Sequence, residues 1–239
     1  MIRYPSQSTL LAWFHLALKQ KHINDRVETF VSDAQRALQL YQKLVMCGYT
    51  AKEDAEYASP LMQPDRRDIA QFIFFELAAK FESLMRDLFE FETRIRIADS
   101  PSRVRYMMGT VDGGTDGVHG WASPKRLKSR GENLFGKVGF FAKLTDHIPG
   151  STHQRVTLAH KIRNHIAHSG TKTYRDALSS LHVPASERSG CGPGRLLIDY
   201  PSTAAEADRW FNRFVDAYVA FAETAKLKLR APRPIPSDG

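Results

Sequence analysis

A chain of 239 residues, 42% hydrophobic and 25% charged, can bury a sizeable core without a disulfide or metal staple. Thirty-four Lys and Arg against 26 Asp and Glu give a net charge of +8 and a pI near 9.5, which favours a polyanionic partner. The two cysteines, Cys47 and Cys191, lie far apart without metal-ligand spacing, and no apolar run has bilayer length, so disulfide-rich secreted, zinc-finger and membrane classes are excluded.

The apolar stretch Leu10 to Leu18 is interrupted by His15 and followed at once by Lys19 and Lys21, with no small-residue cleavage site. A soluble protein of a reducing compartment, the cytoplasm, is the expectation. Helical spacing of Leu10, Trp13, Phe14, Ala17 and Leu18 predicts a short helix over 8–20. Val27, Phe30, Val31, Ala34, Leu38, Tyr41, Leu44 and Val45 predict a longer one over 25–47, stopped by Gly48. After Pro60 and Pro64, Asp65 is a plausible N-cap for a long helix over 66–98. Its inner seam reads Ile69, Ile73, Leu77, Phe81, Leu84, Leu88, Phe91 and Ile95, with Glu82, Arg86 and Glu90 opposite.

Five glycines between Gly109 and Gly120 read as a flexible loop rather than a phosphate cradle, because no GK[ST] ending follows. Basic residues occupy 124–130, and Leu134, Phe135, Val138, Phe141 and Leu144 predict a helix over 132–147. Pro149 and Gly150 break it. Ser151 with Gln154 forms a capping-box pattern for a helix to His168, ended by Ser169 and Gly170. Arg195 to Tyr200 reads as a short strand in a possible β-hairpin, and Thr203 with Glu206 as the cap of a last helix reaching Arg230. The division expected is a helical extension over 1–64, a helical domain over 65–230 and a disordered tail over 231–239. The fold class is all-α.

The positive charge is local. Between Trp121 and Arg175 stand 11 basic residues against Glu132 and Asp146, a net +9, and the rest of the chain sums to −1. Five of the nine histidines share that window. At about 100° per residue, Leu158, Ala159, Ile162 and Ile166 form the apolar face of the helix over 151–168. Arg163, Asn164, Ala167, His160 and His168 gather on the other, with no carboxylate sharing that face to neutralise its positive charge. A bidentate guanidinium and an imidazole that titrates near neutrality suit metal-free cleavage of a phosphodiester: the first holds the phosphate and the second moves the proton. Either group placed in the packed interior, or the two pointing to opposite sides, would end the nuclease reading built on this outward-facing pair. His165 falls at the edge of the packed face and reads as structural. Lys125, Arg126, Lys128, Arg130 and Lys161 are candidate phosphate-backbone contacts, with an ordinary solvated loop as the alternative for the cluster Lys125 to Arg130.

Arg163-Asn164-His165-Ile166-Ala167-His168, followed by Ser169-Gly170, resembles the R-x4-6-H signature of HEPN domains. The resemblance implies an HEPN-like helical bundle over 65–230 and a metal-independent endoribonuclease needing no cofactor. Two copies of the motif would meet in a homodimer, and RNA would be cut by 2′-hydroxyl transesterification to 2′,3′-cyclic phosphate ends. Many such proteins are prokaryotic toxins or antiviral defence effectors, so an antitoxin or defence-system partner is implied, and no membrane. By the same resemblance Arg163 and His168 are catalytic, Asn164 orients or contacts the phosphate, and Glu82 stands for an accessory acid on an earlier helix. His160, which its helix position puts at the border of the cleft, is a further candidate accessory that binds RNA or is simply solvated. The alternative is a non-catalytic dimeric module that binds RNA or a toxin-antitoxin or defence partner.

Overall fold

A computed structural model describes residues 7–53, 61–97, 100, 103–104, 107–108, 121, 123–200 and 209–230, with side chains of the first helix described from 19 to 46. Among them are eight α-helices and no strand: α1 (Gln7–Glu53), α2 (Gln63–Arg96), α3 (Pro124–Phe135), α4 (Leu144–His147), α5 (Gly150–His168), α6 (Thr171–Ser180), α7 (Pro193–Asp199) and α8 (Trp210–Lys228). The chain is all-α, and none of the described helices is long and apolar enough to cross a membrane.

The centre is α2, which packs against α1, α5, α7 and α8, while α8 also meets α1 and α5. Rings fill this junction. Phe81 stacks on Tyr218 with centroids 4.3 Å apart, Phe74 meets Phe211 and Phe214, and Tyr41 of α1 stacks on Phe211 at 4.1 Å. Such contacts add directional preference to the burial of large apolar areas. Ile23, Val27, Phe30, Ala34, Tyr41 and Leu44 thus belong to the same buried cluster as α2 and α8. Between Ile23 and Leu44, α1 supplies one wall of the common core.

Several expected boundaries move. The two helices over 8–20 and 25–47 are one rod, because nothing between Lys21 and Asn24 breaks a helix, and Gly48 does not stop it. The N-cap of α2 is Met62. Asp65 sits at the third helical position and accepts the Met62 N–H at 3.0 Å. The expected helix over 132–147 gives way to α3, a turn and the short α4. Gly136 at φ 63° and Gly139 at φ 112° turn the chain where an L side chain would be strained. The basic segment 124–130 is the body of α3, not loop. Pro149 caps α5 without a side-chain bond, so the Ser151/Gln154 box is not used, and Ser169 takes the left-handed position at φ 52°.

The expected strand over 195–200 is α7. Pro193 suits a first helical position, and Gly194 lets α7 lie on α2: a Cβ there would come within 2.4 Å of the Arg67 carbonyl oxygen. The Gly-rich segment 109–120, the Thr203/Glu206 cap and the tail 231–239 fall outside the described residues.

Candidate active site

Glu92 anchors the entry to α5. Its Oε1 accepts the Phe140 N–H at 2.6 Å and Arg96 Nε at 2.7 Å, and its Oε2 accepts the Phe141 N–H at 3.0 Å. Ten residues earlier on α2, Glu82 pairs with Arg163, Oε2 to Nη2 at 3.0 Å. Chain direction follows from these two ties: α5 runs antiparallel to α2, and its last turn, with His168, lies beyond Arg163 toward the amino-terminal half of α2.

Arg163 does not project outward, so the nuclease reading built on an outward-facing Arg/His pair fails at Arg163. It is 9% exposed and Glu82 7%, and the guanidinium lies over the Phe75 ring at 5.4 Å. The expected unneutralised face is therefore corrected, because the acid comes from α2 and could not be seen on α5 alone. Glu82, placed on the outer side of its helix by spacing, is drawn inward for the same reason: an isolated buried guanidinium is far more costly than a paired one. Arg163 Nη1 donates to Asn164 Oδ1 at 3.3 Å, and Asn164 Nδ2 meets His160 Nε2 at 3.1 Å. A polar relay thus leads from Glu82 in the interior through Arg163 and half-buried Asn164 to His160.

His160 is not a solvated cation. Burial pulls its pKa down to about 4, and the neighbouring guanidiniums of Arg163 and Arg126 act in the same direction. It is neutral at physiological pH and offers the phosphate no charge. His168 is exposed on the last turn of α5, the one member of the Arg/His pair that faces solvent. His165 is structural as expected from its place on the helix: its Nδ1 lies 2.7 Å from the Gly170 carbonyl oxygen and its ring stacks on Tyr174 at 4.1 Å.

Sequence reasoning missed Phe75 and Tyr218, since both sit in apolar runs that read as core. Tyr218 is fully buried, and desolvation followed by the Glu82 carboxylate pushes its hydroxyl pKa far up, so it stays protonated. Its hydroxyl, Glu82 Oε1, Arg163 Nε and His160 Nδ1 are all enclosed without a hydrogen-bond partner. Each such group costs about 1–3 kcal/mol. One Tyr in a seam of Phe on α8 was the available signal.

The basic residues divide. Lys125 and Arg126 are exposed on α3, which packs against α5, and Arg126 acts on His160 electrostatically, as Lys128 does on His153. Lys128 also lies 3.7 Å from Glu132, Arg130 is drawn over the Trp121 ring at 4.4 Å, and Lys161 is half-buried on α5. Among the described residues no group of three or more His, Cys, Asp or Glu is arranged to hold a metal ion. No family model, curated protein or solved structure matches this chain.

Proposed function

We propose that this protein is a metal-independent endoribonuclease of the HEPN type, acting as a homodimer, in which His168 moves the proton of the attacking 2′-hydroxyl or of the leaving oxygen. Arg163 takes a different part from an open phosphate clamp. It works from the floor of the site, its guanidinium fixed by Glu82 and Phe75, and Asn164 carries its influence to the surface where the phosphate is held. The observation that carries the reading is the chain of contacts from Glu82 through Arg163 and Asn164 to His160 on the helix whose last turn exposes His168. Lys125 and Arg126 on the adjoining helix supply sequence-independent attraction for RNA.

The second reading, a non-catalytic dimer that binds RNA or a defence or antitoxin partner, is favoured by one specific observation: Arg163 is already neutralised and its side chain is only 11% exposed. RNA cleavage in EDTA by the wild type, His168→Ala and Arg163→Ala separates the two. Loss of a general acid or base lowers the rate by about 100-fold or more, so His168→Ala should fall by that amount while keeping its fold. Equal activity in all three proteins would remove the nuclease reading, and salt-sensitive RNA binding without turnover by the wild type would install the second.

A further inference from the structure

A cleft of about 540 Å³ opens between α1 and α2, away from the motif face. Lys19, His22, Ile23 and Arg26 line it from α1, and Asp87, Glu90, Phe91 and Arg94 from α2. Both sets follow the i, i+3, i+4, i+7 pattern of a single helical stripe, so two stripes face each other. Ile23 and Phe91, 4% and 3% exposed, close the floor. The long charged residues form the walls. From Glu82 to Asp87 the α2 surface turns by about 140°, which puts the cleft on another side of the helix from Arg163.

The charges in the cleft are unequal. Arg26 donates from Nε to Asp87 Oδ2 at 2.8 Å and from Nη2 to the same atom, and Arg94 donates from Nε to Glu90 Oε1 at 3.0 Å and from Nη2 to the same atom. Both carboxylates are thereby occupied, each on the Nε side of its arginine, and both guanidiniums are held in fixed orientations. Lys19 and His22 are the basic side chains left over: neither has a hydrogen-bond or ion-pair partner among the described residues. Two oriented guanidiniums with a flexible ammonium and an imidazole beside them, over an apolar floor, make a cavity for an anion attached to a small body. Its volume lies within the range of small-molecule sites, roughly 300–1,000 Å³. Phosphate fits this donor set best, since it accepts from several donors at once.

We propose that the α1/α2 cleft binds a small phosphate-bearing molecule through Lys19, His22, Arg26 and Arg94, independently of the motif face. Titration calorimetry on the full chain, with inorganic phosphate and with adenosine monophosphate as separate probes, tests it. Saturable binding of either is expected, weakened at least tenfold by Lys19→Glu and by His22→Glu and unchanged by Lys43→Glu, an exposed position farther along α1 and outside the cleft. A mononucleotide that binds tenfold tighter than phosphate assigns the cavity to a nucleotide, and equal affinities assign it to the phosphate group alone. Absence of binding by both probes overturns the proposal, and so does binding that Lys19→Glu and His22→Glu leave intact or that Lys43→Glu abolishes. Both cleft variants alter the surface of α1, and circular dichroism checks that each keeps its helix content.

Discussion

Two glutamates buried on the same helix meet opposite circumstances. Glu92, with no exposed surface, spends both oxygens on two backbone N–H groups and an arginine, and so fixes the turn that leads into α5. Glu82, almost as deeply buried, has one oxygen on Arg163 and the other on nothing, beside a tyrosine hydroxyl in the same condition. A fully satisfied buried carboxylate contributes order. One that is half satisfied costs stability, and its retention directs attention to what the neighbouring face does.

The sharpest way to break this contrast is to remove each acid. Glu92→Ala should cost most, about 5 kcal/mol in urea unfolding, because two buried N–H groups lose their acceptor along with Arg96. Glu82→Ala should cost about 3 kcal/mol by leaving Arg163 charged and unpaired in the interior. Equal losses at the two sites would erase the distinction. Replacing both members, Glu82→Met with Arg163→Met, should bring stability back to within about 1 kcal/mol of the wild type, since both charges and their desolvation vanish together. RNA cleavage by that double variant should remain abolished, which separates fold from function.

His160 gives the next effect in size. Its pKa in the folded chain lies near 4, below the ordinary 6.5, so between those values the unfolded chain binds the extra proton. Stability is therefore complete above pH 6.5 and falls as the pH drops toward 4, by roughly 2 kcal/mol between pH 7 and 4.5. Urea midpoints measured across that interval should show the slope in the wild type and a flatter line in His160→Gln. The smallest stability change belongs to His168→Ala. An exposed residue at a helix end contributes within about 0.5 kcal/mol, so its unfolding curve should overlay the wild type even as cleavage is lost. A large stability loss there would mean that His168 is a packing residue.

Legibility in the sequence followed the range of the forces involved. Helical periodicity reports which face meets a core, and it marked Leu77, Phe81, Leu84, Leu88 and Phe91 correctly as buried. Ile69 on the same seam is 36% exposed, because the neighbours of α2 do not cover that side at its first turns. Local pattern also misread α7 as a strand, since seven residues carry too little periodicity and packing against α2 decided the outcome. It missed α6 altogether. On α5 the pattern separated His165 from His160 and His168, yet it could not see that an acid from α2 reaches Arg163.

By itself, the sequence determined the all-helical class, the concentration of positive charge between Trp121 and Arg175, and the placing of Arg163, Asn164 and His168 on one helix, because composition and the 3.6-residue repeat are local properties. Tertiary structure alone decided that α1 joins the common core, that Glu82 neutralises Arg163 over Phe75 and near Tyr218, and that Lys19 and His22 share a cleft with two carboxylate-held arginines. Each of these joins residues tens of positions apart in the chain. Ion pairing and burial act through space, so such partners stay hidden until the helices are packed.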